Sequence, residues 1–555
     1  MTPQQDQQKG NVPIAPIQTE DQLFQIAIQH HQAGRVSQAE SIYRQILQNN
    51  PDHADALHLL GVLYHQIGNN ELAVESINRA IGIDPANPFF YDNLGTVYQA
   101  LNRLDEAVTS YRKALALDPN FAGAHFNLGN VLQRQGQLDK AVASYQMALA
   151  LRPDYVDAYI SMGNTFKDLG RLDEAIACYQ KSLAFNPNYA EAHFNLGNIL
   201  CSLEQLVDAA ASYRRALEIK PRYAEAHFKL GDVQHKLGQL DGAIASYRRA
   251  LQIKPELTEA HSNLGSALRD IGQFDEAVAS YRRALEINPD NLGTNFRLGN
   301  LLSDLGMLDG AEELFRQCLK IDPEDSLGAQ LLLARLGLEQ MPARASEAQL
   351  SKLYVERSRN WDRKKGSYRA HELVAQALRK LQPNCTLDIL DAGCGTGLVG
   401  ALVRDMASKL DGIDMSAAML LKAREKGIYD QLYQGDLVSA MASNPDSYDA
   451  ITCAATLIHF GDLTTVFAAA ASSLRQGGLF IFTVFPNDSA EDSKDVVVAQ
   501  HSGLAWGGCY AHSQGYVRRL AEATGFVVDM LYSATHEYDN LGIPIRGLVV
   551  ALRRR

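Results

Sequence analysis

LDILDAGCGTGLVGALVRDMASKLDGIDMS, the stretch at residues 387–416, decides the fold of the C-terminal part of this chain. An apolar segment reaches Asp391, and Gly393, Gly395 and Gly397 follow at every second position. A helical segment and a second apolar segment, which ends in Asp414, come next. This order predicts a strand, a glycine turn, a helix and a parallel strand, the arrangement with which an open α/β sheet forms a nucleoside site.

Further strands are predicted downstream of this stretch. LYQGDL ends a third strand near Asp436, YDAITCAATLIHF holds a fourth strand and its exit loop, and GGLFIFTVFP is a fifth strand. The segments GFVVDMLYSATHEY and IPIRGLVVALRRR predict two strands that pair as a terminal antiparallel hairpin. Together these elements predict an α/β domain over residues 351–555.

The sequence upstream repeats with a step of 34 residues, from Pro51 to Pro323 and from Gly61 to Gly299. Each unit fits two antiparallel helices, of which the first carries the glycine and the second ends before the proline. Small and aromatic residues keep the same register, and the alanines are predicted to face the glycines while the tyrosines fill the next layer. These residues are Ala73, Ala107, Ala141, Ala175, Ala209, Ala243, Ala277 and Ala311, and Tyr111, Tyr145, Tyr179, Tyr213, Tyr247 and Tyr281.

This register closely resembles the tetratricopeptide repeat, with about nine units over residues 20–325 and Ala27 in the first unit where glycine is expected. SLGAQLLLARLGLEQ is predicted to be a helix that covers the last repeat. MPARASEAQL then breaks the register. The predicted organisation is a disordered tail (1–19), an all-α repeat superhelix with its capping helix (20–340), a linker (341–350) and the α/β domain (351–555).

Asparagines recur two residues before the repeated glycine or directly after it. Side-chain amides at a fixed step can bond to the backbone of an extended peptide, and the resemblance implies a groove that binds protein segments. The pattern is similar to the asparagine ladder in the repeats of O-linked N-acetylglucosamine transferases. The alternative is that these residues only solvate an exposed helix face. The candidate peptide contacts are Asn93, Asn127, Asn130, Asn164, Asn195, Asn198, Asn263 and Asn300.

DAGCGTG, GIDMS, GDL and the terminal hairpin together resemble a class I S-adenosylmethionine-dependent methyltransferase with a Rossmann-like fold. Leu398 stands where the nicotinamide fingerprint needs a small residue, which disfavours a pyrophosphate site. The resemblance implies S-adenosyl-L-methionine as cofactor, with Asp391 facing the methionine amino group, Asp414 accepting from the ribose hydroxyls and Asp436 near the adenine. The candidate cofactor contacts are Asp391, Gly393, Cys394, Gly395, Gly397, Asp414, Met415, Asp436 and Leu437.

Methyl transfer to a hydroxyl or an amine also needs a general base. His459, in the exit loop of the fourth strand, is the first candidate, against a purely structural role for a single loop histidine. Tyr510 and His512 are the second candidates, because the segment before the next helix typically helps to wall the substrate pocket in this fold. Three aromatic residues before the first strand are predicted either to cover the cofactor or to pack between helices. They are Tyr354, Trp361 and Tyr368.

Composition excludes several classes of partner. A net charge of -12 and a pI near 5.7 oppose a large basic surface, and no Asn/Asp-Pro-Pro-Tyr motif follows the fourth strand, so nucleic acid is not expected. Seven scattered cysteines without a CxxC pair predict a reducing cytoplasm and no metal site. No apolar stretch is long enough to span a bilayer, so no membrane association is expected.

Three functions remain open from the sequence. The first is a methyltransferase whose repeat array binds a protein partner or recruits a protein substrate. The second is a methyltransferase of small molecules whose array serves localisation, which an apolar, closed pocket around His459 and Tyr510 would favour. The third is a non-enzymatic scaffold, against which the complete set of Asp391, the glycine turn and Asp414 speaks.

Overall fold

The computed structural model describes residues 19–358, 361, 368–383, 385–487, 495–499, 509–538 and 543–555. Residues 1–18 of the predicted tail, and parts of the segments around Trp361 and before Tyr510, therefore lie outside the described residues. The chain divides into two compact units, Met1–Ala260 and His261–Arg555. The first unit is helical, and the second combines helices with a β-sheet.

The first unit consists of helix pairs in which a helix of 13 residues is followed by one of 14 residues. Each pair is one 34-residue repeat, as the register predicted. The helices are α1 (Glu20–Gln32), α2 (Val36–Asn49), α3 (Ala54–Gln66), α4 (Asn70–Ile83), α5 (Pro88–Ala100), α6 (Leu104–Leu117), α7 (Ala122–Arg134), α8 (Leu138–Leu151), α9 (Val156–Asp168), α10 (Leu172–Phe185), α11 (Ala190–Ser202), α12 (Leu206–Ile219), α13 (Ala224–Lys236) and α14 (Leu240–Ile253).

The repeated glycine packs against the repeated tyrosine of the same helix pair. A Cβ added at Gly129 would lie 2.6 Å from the ring of Tyr145, and one added at Gly163 would lie 2.8 Å from the ring of Tyr179. In these repeats the ring fills the space that the missing side chain leaves, and at Gly61 an added Cβ would lie 3.1 Å from the carbonyl oxygen of Ala73. The alanine of each second helix is itself fully buried, as at Ala141.

Gly163→Ala is expected to destabilise the repeat array, because the new methyl group would push the Tyr179 ring away from α9. Overpacking of this kind costs about 1–3 kcal/mol. Gly82→Ala is the matched control, since an added Cβ there meets no described atom within 4 Å outside its own helix. The control should be neutral or stabilising by up to about 1 kcal/mol. Urea unfolding followed by circular dichroism measures both, and equal midpoints would contradict this packing.

The second unit begins within α15, continues the helix pairs, and then changes to alternating strands and helices. Its helices are α15 (Thr258–Asp270), α16 (Phe274–Ile287), α17 (Leu292–Asp304), α18 (Leu308–Ile321), α19 (Ala329–Arg335), α20 (Glu347–Ser358), α21 (Ala370–Leu381), α22 (Leu398–Val403), α23 (Ala417–Glu425), α24 (Leu437–Ala442), α25 (Thr464–Ser473) and α26 (Gln514–Ala523). Its strands are β1 (Leu387–Ala392), β2 (Ala407–Asp414), β3 (Gln431–Gln434), β4 (Tyr448–Cys453), β5 (Leu474–Pro486), β6 (Val496–Val498), β7 (Tyr510–His512), β8 (Phe526–Tyr538) and β9 (Pro544–Arg554).

The main path of the sheet runs β3-β2-β1-β4-β5-β9-β8. The first five strands are parallel, β9 is antiparallel to β5, and β8 pairs antiparallel with β9. The predicted terminal hairpin is therefore confirmed. Alternate residues of the central strands belong to different cores, Leu390 and Ile451 to one and Ile389 and Ala450 to the other. Both faces of the sheet are thus covered, as in a doubly wound α/β domain.

Two short strands extend the sheet at the carboxyl end of β5, and the sequence did not predict them. β7 pairs in parallel with Phe485 and Pro486, and β6 pairs antiparallel with β7. Leu331 of α19 packs against Val498 and Tyr510 of these strands. The helix that follows the last repeat therefore contacts the α/β part directly.

The predicted fold class is confirmed: helical repeats are followed by a mixed α/β domain. Across the described ranges, we find no helix that combines the length and the apolar character needed to cross a membrane.

Candidate active site

The turn after β1 requires glycine at Gly393. Its φ is +78°, and an added Cβ would lie 2.1 Å from the hydroxyl oxygen of Thr456. The N–H groups of Gly393 and Cys394 both donate to the carbonyl of Ile413 in β2, at 2.8 and 2.9 Å. The turn is therefore held between β2 and the exit loop of β4, with its backbone exposed to a ligand at the carboxyl edge of the sheet.

Asp414 ends β2 and is fixed by two backbone N–H groups. One carboxylate oxygen accepts from Gly395 at 2.9 Å, and the other accepts from Ser416 at 2.8 Å. Burial raises the pKa of this carboxyl group, while the two hydrogen bonds counteract the shift. Each oxygen keeps a further lone pair, so Asp414 can accept two more hydrogen bonds from a ligand.

Asp436 follows β3 and caps α24. Its Oδ2 accepts from the backbone N–H of Ser439 at 3.0 Å and from the Ser439 hydroxyl at 2.9 Å. This capping holds Oδ2 at the start of the helix.

One cavity connects the ends of these strands. Of the nine predicted cofactor contacts, the cavity is lined by Gly393, Cys394, Gly395, Asp414, Met415, Asp436 and Leu437. The predicted base His459 also lines it, together with Tyr354, Trp361 and Tyr368, which were predicted either to cover the cofactor or to pack between helices. The structure thus brings together most of the residues that spacing and motif had singled out.

Asp391 and Gly397 do not line the cavity. Asp391 is fully buried and accepts hydrogen bonds from the hydroxyls of Tyr429 at 2.6 Å and Thr452 at 3.2 Å. Burial raises its pKa to about 6. Gly397 has a φ of +86° and precedes α22, where an added Cβ would lie 3.0 Å from the Tyr429 ring. Both residues therefore support the glycine turn without lining the cavity, and Tyr429 lies next to both of them.

His459 is buried, with 3% of its surface exposed, and its Nε2 lies 2.7 Å from the Tyr354 hydroxyl. Its Nδ1 is buried and has no hydrogen-bond partner among the described residues. Burial and the positive charge of Arg357 lower the pKa of His459 to about 3. The imidazole is therefore neutral at physiological pH, and one of its two polar atoms is unused.

The exit loop of β4 that carries His459 contains an unusual backbone conformation. Ala455 has a φ of +55°, which is uncommon for a residue with a side chain. Its N–H donates to the Thr483 hydroxyl at 3.0 Å, and that hydroxyl lies 3.1 Å from Nε2 of the buried His536. Strain of this type is typical of functional loops. The sequence carried no signal for it, because alanine is compatible with many structures.

Tyr510 and His512 lie outside the residues that line the cavity. The Tyr510 hydroxyl donates to the carbonyl of Pro342 at 2.8 Å, and its ring is fully buried. His512 is also fully buried, and burial lowers its pKa to about 4. The structure therefore places His459 at the cavity, whereas Tyr510 and His512 do not line it.

The asparagines of the repeats bond to residues of their own or neighbouring repeats. The side chains of Asn130, Asn164 and Asn198 accept from the hydroxyls of Tyr145, Tyr179 and Tyr213 at 2.8, 2.6 and 2.8 Å. Repeats without this asparagine use Thr96, Asp232 or Ser266 for the same task. The periodic asparagine after the glycine thus satisfies a buried tyrosine.

The asparagines before the glycine connect successive repeats. Asn93 lies 2.8 Å from His58 Nε2, Asn127 donates to Asp92 at 3.1 Å, and Asn195 donates to Asn164 at 3.1 Å. In the second unit, Asn263 is half-buried in α15. Asn300, whose repeat has Phe315 in place of tyrosine, donates to the backbone carbonyl of Phe296 at 3.0 Å.

Metal ligands are not clustered in the described part of the chain: no group of three or more His, Cys, Asp or Glu residues there is placed to hold an ion.

Comparison with protein families matches both parts of the chain. A family described as a methyltransferase domain matches residues 389–478. Tetratricopeptide-repeat families match residues 24–88, 258–291 and 292–325, and a further TPR repeat family matches segments between residues 95 and 268. The matched methyltransferase segment contains the glycine turn, Asp414, Asp436 and His459.

Curated relatives of this chain include ubiquinone biosynthesis O-methyltransferases. The ubiquinone biosynthesis O-methyltransferase of Stutzerimonas stutzeri (strain A1501) is 28% identical over 151 residues, which are 26% of this chain and 65% of that protein. The enzyme of the same name from Aeromonas salmonicida (strain A449) is 36% identical over 107 residues, which are 18% of this chain and 45% of that protein. The chain thus spans less than two thirds of the length of either relative.

Among solved structures, the crystal structure of MamA is 30% identical and corresponds to 29% of this chain and 95% of that chain, with a TM-score of 0.29. The family matches and the sheet order agree with the two resemblances that the sequence motifs indicated. This chain is therefore a fusion of tetratricopeptide repeats with a methyltransferase domain of the class I fold.

Proposed function

We propose that the α/β domain transfers a methyl group from S-adenosyl-L-methionine. The observation that carries this proposal is the convergence of three strand ends on one cavity: the glycine turn after β1, Asp414 in β2 and Asp436 after β3. The turn would hold the amino-acid part of the cofactor, Asp414 the ribose and Asp436 the adenine. Ligands of open α/β sheets bind at this edge.

The residues at the cavity fit such a cofactor. Asp414 offers two acceptor oxygens whose positions are fixed by backbone N–H groups, which suits the two hydroxyl donors of a ribose. Glycine at position 393 lets the turn pack against Thr456, since an added Cβ would lie 2.1 Å from its hydroxyl oxygen. When bound, S-adenosylmethionine would supply a methyl group on a positively charged sulfur.

The proposed acceptor is a hydroxyl group of a small aromatic compound. The cavity around His459 has aromatic walls, formed by Tyr354, Trp361, Tyr368 and Phe460, which favour a planar apolar molecule. The O-methyltransferase names of the two relatives support oxygen as the acceptor atom. The apolar surroundings of His459 also favour a small-molecule substrate over a protein substrate.

His459 is the proposed acceptor of the hydroxyl proton. A neutral imidazole carries a proton on one ring nitrogen and an acceptor lone pair on the other, and the hydrogen bond with Tyr354 decides which nitrogen carries the lone pair. If Nε2–H donates to the Tyr354 hydroxyl, Nδ1 carries the lone pair and can accept the substrate proton. Burial keeps the imidazole neutral, so its lone pair is available to accept a proton.

The repeat array is proposed to bind a protein partner that localises the enzyme. Its support is the family match together with the half-buried residues Asn130, Asn164 and Asn198, whose amide oxygens accept from tyrosine hydroxyls. A protein substrate delivered by the array is the second candidate, because repeats of this family typically bind protein segments.

Calorimetric titration of S-adenosylmethionine and S-adenosylhomocysteine into the full chain tests the proposal. Dissociation constants on the order of micromolar, about -8 kcal/mol, are expected. Transfer of a labelled methyl group to a panel of catechols and dihydroxybenzoates then tests the acceptor class. Labelling of a protein in place of every phenol would favour the second candidate. A folded chain that binds neither ligand would refute the methyltransferase proposal and leave the repeats as the working part.

A further inference from the structure

The segment between the last repeat helices and α20 contributes one rim of the cavity. We name residues 342–347 the strap. The carbonyl of Ala343 accepts from the N–H groups of Gly461 and Asp462 at 2.8 and 3.0 Å, and the N–H of Ala345 donates to the carbonyl of His459 at 2.9 Å. These bonds hold the strap against the loop that carries His459.

A side-chain contact anchors the strap on its other side as well. The hydroxyl of Ser346 donates to the carbonyl of Asp325, in the turn after α18, at 2.9 Å. The strap is therefore fixed both to the end of the repeats and to the α/β domain.

Arg344 projects from the strap to Asp436. Its Nη1 donates to Oδ1 of Asp436 at 3.0 Å, and its Nη2 donates to Glu347 at 2.9 Å. Both Arg344 and Asp436 line the cavity. Oδ2 of Asp436 accepts two hydrogen bonds from Ser439, so both of its acceptor positions are used. Oδ1 accepts one hydrogen bond from Arg344, which leaves its second acceptor position open.

We propose that Arg344 is a positioning residue for base selection: it orients Asp436 so that the open position of Oδ1 accepts the exocyclic amino group of a 6-aminopurine. This inference rests on the proposed function. A carboxylate can only accept, so it attracts an amino group and repels the carbonyl of a 6-oxopurine. Fixing the carboxylate in one orientation increases this discrimination, because Asp436 cannot rotate to relieve its repulsion of a 6-oxo group.

The exposure of the pair separates this role from a contribution to folding. The side chain of Arg344 is 41% exposed, and that of Asp436 is 24% exposed. Ion pairs this accessible add little to stability. Loss of Arg344 should therefore change the choice of base more than the folded state.

The test compares S-adenosylhomocysteine with S-inosylhomocysteine, its 6-oxopurine counterpart, by calorimetric titration into the full chain. The parent is expected to prefer the adenine ligand by roughly 10- to 150-fold, as a hydrogen bond to a charged group predicts. Arg344→Ala should reduce this preference by roughly five-fold or more. Arg379→Ala is the matched control, since Arg379 forms a similar exposed ion pair with Asp405, at 2.6 Å, outside the cavity lining.

The outcomes separate this inference from the proposal on which it rests. An unchanged base preference in Arg344→Ala, with a parent that binds, would overturn the role of Arg344 alone. Tighter binding of both ligands by the variant would also overturn it, because Arg344 would then obstruct the base. A folded parent that binds neither ligand would overturn the methyltransferase proposal itself, and the inference would fall with it. Retention of the parent's base preference by Arg344→Lys, together with its loss in Arg344→Ala, would support positioning of Asp436 by the positive charge at residue 344.

Discussion

His459→Gln is expected to lower the turnover of a phenolic acceptor by roughly 100- to 10,000-fold, the usual contribution of a general base. The affinity for S-adenosylhomocysteine should change by less than about two-fold, because the hydrogen bonds of Asp414 and Asp436 do not involve this side chain. Tyr354→Phe should cause a smaller loss of turnover, since it removes only the hydroxyl 2.7 Å from Nε2. Steady-state kinetics and calorimetry on the same preparations measure both quantities.

The dependence of turnover on pH gives an independent test of the same residue. An ordinary histidine is protonated below about pH 6.5 and stops acting as a base there. The pKa of His459 in the folded protein is lowered to about 3, so it remains neutral down to that range. Turnover should therefore show no loss attributable to His459 as the pH falls from 8 to 5.

His512→Gln distinguishes the two sets of candidates that the sequence proposed. His512 is buried outside the cavity lining, so its replacement should leave the turnover of the folded variant within about three-fold of the parent. A loss equal to that of His459→Gln, in a variant with unchanged thermal unfolding, would transfer the role of base from His459 to the second pair.

Asp414→Ala is expected to weaken the binding of S-adenosylhomocysteine by roughly five- to 150-fold, which corresponds to about 1–3 kcal/mol. The variant loses the acceptors proposed for the ribose. It also leaves the N–H groups of Gly395 and Ser416 without their carboxylate partner, so the turn loses its anchor. Calorimetric titration into the full chain measures the loss.

Asp430→Ala is the matched control for Asp414→Ala. Asp430 likewise accepts from a backbone N–H, that of Leu410, at 2.7 Å, and pairs with Arg404, but it does not line the cavity. Its replacement should leave ligand affinity unchanged. If both variants lost affinity equally, the effect of Asp414 would be one of folding, and the ribose role would have to be abandoned.

The local part of the site could be predicted from the sequence because its determinants are local. The glycines, Asp414 and the apolar segments lie within one 30-residue stretch whose periodicity predicts strand, turn and helix. The 34-residue register likewise revealed the helix pairs, because each repeat contacts mainly its neighbours. Even so, the contact of Gly129 and Gly163 with the tyrosine ring of the same helix pair emerged only from the structure.

The remaining features depend on contacts between residues that are far apart in the chain. Asp391 is separated from its partners Tyr429 and Thr452 by 38 and 61 residues. Arg344 and Asp436 are 92 residues apart. β7 has only three residues, too few for a strand pattern to be recognised. Local propensity and periodicity carry no information about such pairings, so the environment of Asp391 and the role of Tyr429 emerged only from the structure.

The course of the strap affects how this protein can be divided for experiments. A shortened version that starts at residue 351 would retain every motif by which the methyltransferase domain is recognised. It would nevertheless lack Arg344, Ala345, Glu347 and Leu350, all of which line the cavity. Inactivity of such a truncated protein would therefore say nothing about the enzyme, because the deletion removes part of the binding site together with the repeats. A version that begins before the strap retains every described residue that lines the cavity.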